Sequence, residues 1–307
     1  MLRLSVPKGE RIETAHRYFV SMAGAEFNVA IALARMGRSV AWMSRLPNSS
    51  LGRRVAGELG RHGVDASNIT WVAGERLGAY FVEQNSPPRP VEVIYDRQAS
   101  SASAMTSRDI DWDFVEAASV LFVSGITPAL SDGCRELTQE VVTRAAAAGV
   151  KVVVDVNYRS QLWSSSKARD ILRPLCSLAS LVILTRSDAA IVFNVQSEPS
   201  AALSELIDIL GVSAVVMTLG SEGAAWIESG FCKREPAYET EIVDRVGAGD
   251  AFAAGVITGL LDGDLTEGVR RGLAMAALTL GLYGDTLIAD SRDIDTVRSR
   301  TSLDVER

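Results

Sequence analysis

The stretch VKVVVDV, residues 150–156, is a β-branched apolar run that ends on polar Asn157. A continuous apolar run of this length, without alternation, reads as a strand buried on both faces. VLFVS at 120–124, LVILT at 181–185 and AVVMTL at 214–219 repeat the pattern, and a helical stretch at 132–148 separates the first two of the four. Apolar strands alternating with helices specify a doubly wound α/β domain with a mostly parallel sheet covered on both faces. In such sheets ligands bind beyond the carboxyl ends of the strands, so the residues just after these runs are the ones to examine.

Outward from that sheet, the first hundred residues follow a different pattern. EFNVAIALARM at 26–36 is helical, with Phe27, Ala30, Ile31, Leu33 and Ala34 on one broad apolar stripe. SVAWMSR at 39–45 reads as a strand and 52–62 as a helix. Strand-like runs then follow at 69–72, 79–83 and 91–95 with no helix between them. NSPPRP separates the last two, as a loop between antiparallel strands would. The expectation is one domain over residues 1–307, with a small antiparallel β lid formed by about 8–22 and 68–100. No internal repeat is present.

Composition narrows the function. The 307 residues are 47% hydrophobic and 22% charged, ample for a core. With 31 Lys plus Arg against 38 Asp plus Glu the net charge is −7, which disfavours nucleic acid as a partner; a bound anion must be held by local donors. Cys134, Cys176 and Cys232 form no CxxC, and His16 and His62 stand far apart. A disulfide framework, a His/Cys metal site and a His-dependent triad are therefore disfavoured. No apolar run reaches the ~18 residues a membrane span needs, and MLRLSVPKGE lacks a signal peptide's apolar stretch, so a cytoplasmic location is expected.

The sharpest motif is VDRVGAGDAFAAG at 243–255. Gly247, Ala248 and Gly249 precede an apolar helical run, where free N–H groups and the helix dipole favour an anion. Asp250 falls in the first turn. There it can serve as a base in phosphoryl transfer or, alternatively, as a mere helix-start carboxylate. A dinucleotide fingerprint is excluded because Phe252 stands where a third glycine is needed, and no GK[ST] exists for a Walker A loop.

This motif, together with AGAEFNVAIALARMG at 23–37, resembles the two signatures of the ribokinase-like, or PfkB-type, carbohydrate kinases. They stand in that family's order, and the resemblance runs from about residue 10 to 295. GAEFN, Tyr95-x-Arg97 followed by SSAS, Asp155-x-Asn157-Tyr-Arg159 and Gly284-Asp285 look most like the family's 2-keto-3-deoxygluconate kinase branch. The resemblance implies Asp250 as catalytic base and Gly247, Ala248 and Gly249 as an anion hole. It places Gly24, Asn28, Tyr80, Tyr95, Arg97, Arg159 and Asp285 at the sugar acid. Asn157, Thr218, Gly220, Ser221 and Gly223 fall at the ATP. It further implies Mg²⁺ and a homodimer formed through the lid. Ordinary strand packing for Tyr80 and Tyr95, a solvated Arg97 and simple turn chemistry at Asp285 are the alternatives.

Three departures accompany the resemblance. The family's NxxE is TRSD here, which keeps the spacing and one carboxylate, Asp188, as an indirect metal contact. A glycine pair is reduced to Ala23-Gly24. Relatives place a strand ending in Gly-Glu before a stretch similar to MLRLS, so Met1 is expected to fall inside that strand. The implied activity is ATP-dependent phosphorylation of the terminal hydroxyl of 2-keto-3-deoxygluconate or a closely related acid sugar. The alternatives are fructokinase or another sugar or nucleoside kinase of the fold, or a catalytically weakened sugar- or nucleotide-binding relative.

Overall fold

The computed structural model describes residues 1–85, 89–228 and 230–299. Six strands form the main sheet: β7 (Val120–Ser124), β8 (Lys151–Asp155), β9 (Leu181–Thr185), β10 (Val215–Thr218), β11 (Ala224–Glu228) and β12 (Phe231–Glu235), in the order β12-β11-β10-β9-β8-β7. The four apolar runs read from the sequence are β7 to β10, and these pair in parallel. β11 and β12 extend the sheet as antiparallel strands.

Alternation along each strand feeds two cores. Val152 and Val154 pack with α4 (Asp132–Ala147), α5 (Ser165–Ser177) and α7 (Pro199–Leu210). Val153, Ile183, Val216 and Trp226 pack on the other face with α1 (Ala25–Arg35), α8 (Ala248–Asp262) and α9 (Leu265–Leu280). The α8–α9 contact is made at glycines. A Cβ on Gly255 would lie 2.4 Å from Gly272 Cα, and one on Gly259 would lie 2.3 Å from Gly268 Cα. Small residues there let the two backbones touch along the middle and second half of α8.

A second sheet has the order β2-β1-β5-β6, from β2 (Phe19–Met22), β1 (Leu2–Ser5), β5 (Ala79–Glu83) and β6 (Glu92–Asp96). β1 pairs antiparallel with β2 and parallel with β5, and β5 pairs antiparallel with β6. The lid expected from the sequence is thus present with different membership. Leu2–Ser5 belongs to it, outside the expected span, and lies between β2 and β5. β4 (Ile69–Val72) does not; it pairs in parallel with β3 (Ser44–Pro47) in a separate two-stranded sheet. The expected strand over 39–45 is shifted to β3, and Ala41 makes only an isolated bridge to Asp65. In the NSPPRP loop, residues 86–88 lie outside the described residues.

Candidate active site

A cavity of about 1310 Å³ lies where the carboxyl ends of β7 to β9, the starts of α1 and α8, and the inner face of the lid meet. It continues along the free edge of β7 towards residues 39–44. Both helices begin on a glycine with no side-chain cap: Gly24 (φ 148) for α1 and Gly247 (φ 88) for α8. Their first N–H groups therefore have no partner from a capping side chain, and such helix starts receive anions well. Gly247 is required sterically as well as by its φ, since a Cβ would lie 2.0 Å from the Asp285 carbonyl oxygen. Gly249 is exposed, and a Cβ there would meet nothing within 4 Å.

Asp250 keeps part of its surface open to the cavity. Asn28 Nδ2 donates to its Oδ2 at 2.7 Å, joining the first turns of α1 and α8. Enclosure by protein pushes the Asp250 carboxyl well above the usual carboxylate range, and Asp155 and Asp285 add to the shift. The Asn28 amide and Arg159 oppose it.

The lid supplies an aromatic wall. Tyr80 and Tyr95 are cross-strand partners with stacked rings whose centroids are 5.5 Å apart, and Arg97 Cζ lies 4.0 Å from the Tyr95 ring centroid. The Tyr80 hydroxyl donates to Asp285 Oδ2. Burial and the Asp285 charge push the Tyr80 phenol far above its ordinary value, so it remains a donor. Arg97 is only 7% exposed, and its Nη2 has no hydrogen-bond partner among the described residues. Burial, with Arg159 nearby, disfavours its charge, and Tyr95 partly compensates. Arg159 is exposed and also lines the cavity; its guanidinium Nη1 donates to the Tyr158 carbonyl at 3.0 Å.

At the end of β8, Asp155 is buried and accepts from Asn157 Nδ2 at 3.2 Å. Asn157 adopts a left-handed backbone (φ 40), and its Oδ1 has no partner among the described residues. Burial, reinforced by Asp188, raises the Asp155 carboxyl to about 7, with Arg159 opposing. Asp188 completes a capping box at the start of α6 (Arg186–Phe193): its N–H donates to Thr185 Oγ1 at 2.9 Å, and its Oδ2 accepts from Thr185 N at 3.1 Å. The TRSD stretch thus has a structural use, and it leaves a buried carboxylate on the cavity wall beside Asp155. Among the described residues no group of three or more His, Cys, Asp or Glu side chains is arranged to hold a metal. Two carboxylates and a free amide oxygen are nevertheless a hard-oxygen set of the kind that meets Mg²⁺ alongside phosphates.

Of the residues singled out in the sequence, the cavity brings together Gly24, Asn28, Tyr80, Tyr95, Arg97, Asn157, Arg159, Asp188, Thr218, Gly247, Gly249, Asp250 and Asp285. Ala248, Gly220, Ser221 and Gly223 are not on its wall. The last three form a turn after β10, held by Glu222 through Arg186 and Arg234 at 3.1 and 2.6 Å. Gly223 has a packing role of its own, since a Cβ there would lie 2.0 Å from the Glu235 carbonyl oxygen. Sequence reading passed over the roles of Arg3, Asp155 and Asp244. All three stood inside quoted motifs, but only the tertiary structure shows that they are buried.

The profile of the pfkB family carbohydrate kinases matches residues 2–292. The chain is 39% identical to a 2-dehydro-3-deoxygalactonokinase from Haloferax volcanii, over 100% of this chain and 96% of that protein. It is 34% identical to a 2-dehydro-3-deoxygluconokinase from Bacillus subtilis, over 86% of this chain and 82% of that one. The crystal structure of 2-dehydro-3-deoxygluconokinase from Thermotoga maritima superposes with a TM-score of 0.92 at 32% identity, covering 98% of this chain and 96% of that chain.

Proposed function

Because the chain belongs to the pfkB family of carbohydrate kinases, we propose that it transfers the γ-phosphoryl group of ATP to the terminal hydroxyl of a 2-keto-3-deoxy sugar acid, the gluconate or galactonate epimer. The carrying observation is the guanidinium pair. Arg97 is buried with Nη2 unpartnered among the described residues, and Arg159 lines the same cavity as Asp250. A buried cation without a carboxylate is costly, and an anionic ligand relieves that cost. The substrate carboxylate fits this place, because guanidinium groups grip carboxylates through paired hydrogen bonds.

In this reading Asp250 takes the hydroxyl proton as the oxygen attacks the γ-phosphorus and the bond to the β-phosphate bridging oxygen breaks, releasing ADP. The uncapped amides at 247–250 face the charge that develops. Asp285 and Tyr80 orient sugar hydroxyls, with Gly24 and Asn28 at the other wall and Tyr95 beneath the lid. Thr218 and Asn157 are the nucleotide-side residues on the cavity, with Gly220, Ser221 and Gly223 in the turn beyond. Asp155 and Asp188 would meet Mg²⁺, which when bound neutralises phosphate charge. No helix among the described residues is long and apolar enough to cross a membrane.

The outer lid face supports a homodimer. Leu4, Val20, Phe81 and Ile94 are cross-strand neighbours in one row, with Val20 38% and Ile94 44% exposed. The test of the catalytic reading is ADP release with both epimeric keto-deoxy acids and with ketohexoses. Turnover of the acids, lost selectively in Arg97→Ala, supports the reading. Preference for a neutral ketohexose replaces it with fructokinase chemistry, and ligand binding without ADP release replaces it with a weakened binding relative.

A further inference from the structure

Arg3 is 1% exposed, and all three of its guanidinium nitrogens are engaged. Nε donates to Ser5 Oγ at 2.7 Å, Nη1 donates to Asp285 Oδ1 and Nη2 donates to Asp244 Oδ2. The two carboxylates belong to different parts of the site. Asp285 carries the Tyr80 hydroxyl bond, and its carbonyl oxygen occupies the space a Gly247 side chain would need. Asp244 precedes the α8 start: its Oδ1 accepts from Val246 N at 3.1 Å and its Oδ2 from Gly284 N at 3.2 Å. One guanidinium therefore fastens lid strand β1 to the turn leading into Gly247 and to the 284–285 turn.

We propose that Arg3 is a positioning residue that couples the lid to the phosphoryl-transfer loop, so that seating the sugar under the lid and setting the Gly247–Asp250 helix start are one event. This rests on the function proposed above. Three features distinguish the arrangement from a simple interior ion pair. The fork geometry serves two carboxylates at once, which a lysine ammonium on a flexible stem does not reproduce. The carboxylates sit on segments far apart in sequence that share no strand pairing with β1. Burial alone would disfavour the Arg3 charge, and its neighbours Asp285, Tyr80 and Asp244 together more than offset it.

The test compares Arg3→Lys, Arg3→Met and Asp244→Asn with the unmodified chain, measuring kcat and KM for the sugar acid and for ATP, with thermal melting as the folding control. Arg3→Lys keeps one ion pair and loses the bridge. The expected result is a sugar-acid KM raised about tenfold and a kcat lowered about tenfold, with the ATP KM within threefold. Asp244→Asn keeps the Arg3–Asp285 contact and loosens the hold on the loop and on Gly284 N, so it should lower kcat by a larger factor than it raises the sugar KM. A role in stability alone would lower the melting temperature of both variants while leaving kcat and both KM values unchanged below the transition, and that result overturns the proposal. So would equal shifts in the sugar and ATP KM values. If Arg3→Met does not fold, the two milder variants decide the matter. An unmodified chain that turns over no sugar acid overturns the functional reading, whereas a working chain indifferent to Arg3→Lys and Asp244→Asn overturns this inference alone.

Discussion

The Asn28 amide donates to the Asp250 carboxylate at 2.7 Å, tying the first turn of α1 to the first turn of α8. The contact spans 222 residues of sequence and joins the two family signatures. It also opposes the enclosure that raises the Asp250 carboxyl, because an amide N–H stabilises the charged form.

A base role for Asp250 has a direct consequence. Asp250→Asn removes the proton acceptor while keeping size and polarity. Turnover should fall by about 10²–10⁴-fold, the usual range for a positioned general base, with sugar-acid affinity by calorimetry changed little. Unchanged turnover would remove Asp250 from that role.

Removing the partner tests the same carboxylate by a different readout. Asn28→Ala takes away a hydrogen bond to the ionised form, so the Asp250 carboxyl rises further. A base must be deprotonated to work. The acid limb of the pH–kcat profile should therefore move to higher pH, with the largest rate loss below neutrality. A uniform loss at all pH values would mean that Asn28 acts only through the sugar.

Arg97→Ala deletes a cation whose Nη2 has no partner among the described residues. If its partner is the substrate carboxylate, a charge-assisted hydrogen bond of about 1.5–3 kcal/mol is lost, or roughly 10–150-fold in kcat/KM for acid sugars. Neutral ketohexoses should be far less affected. Equal losses for both substrate classes would assign Arg97 to lid packing against Tyr95.

The fold and much of the cavity wall were legible in the sequence, for physical reasons. β8 to β10 are buried on both faces and so carry unbroken apolar runs, half-buried β7 carries one at the sheet edge, and the start of α8 has small residues where a ligand or a backbone approaches closely. The lid was read less well. Ile69–Val72 has strand composition, but composition does not specify which strand it pairs with, and that partner is β3. Leu2–Ser5 carries no local mark of lid membership, because that membership rests on pairing with β2 and with distant β5. Asp155 and Arg3 were visible as letters, but their importance lies in burial, which a motif does not reveal.

The α8–α9 contact offers a purely structural test. Gly255→Ala would put a Cβ 2.4 Å from Gly272 Cα, where backbone rather than a flexible side chain must move. Overpacking of this kind typically costs about 1–3 kcal/mol. Because α8 carries Asp250 on its first turn, chemical denaturation should show the stability loss and the variant should also lose turnover below its melting temperature.

Asp155 has a raised carboxyl, to about 7 against an ordinary 3.8, because burial and Asp188 disfavour its charge. The folded chain therefore holds a proton there that the unfolded chain releases. Stability rises with pH only where the unfolded state binds more protons, so this group has the opposite sign. Its effect is absent below about pH 4, destabilises progressively between about 4 and 7, and is constant above. Over that window it amounts to an order of a few kcal/mol. Asp155→Asn should flatten this part of the pH dependence and raise the melting temperature at pH 7 more than at pH 5. Mg²⁺ with nucleotide should stabilise the unmodified chain more at pH 7 than at pH 5, because a cation satisfies the ionised pair Asp155 and Asp188. Asp155→Asn should lose most of that difference; a variant that keeps it would separate Asp155 from the cation.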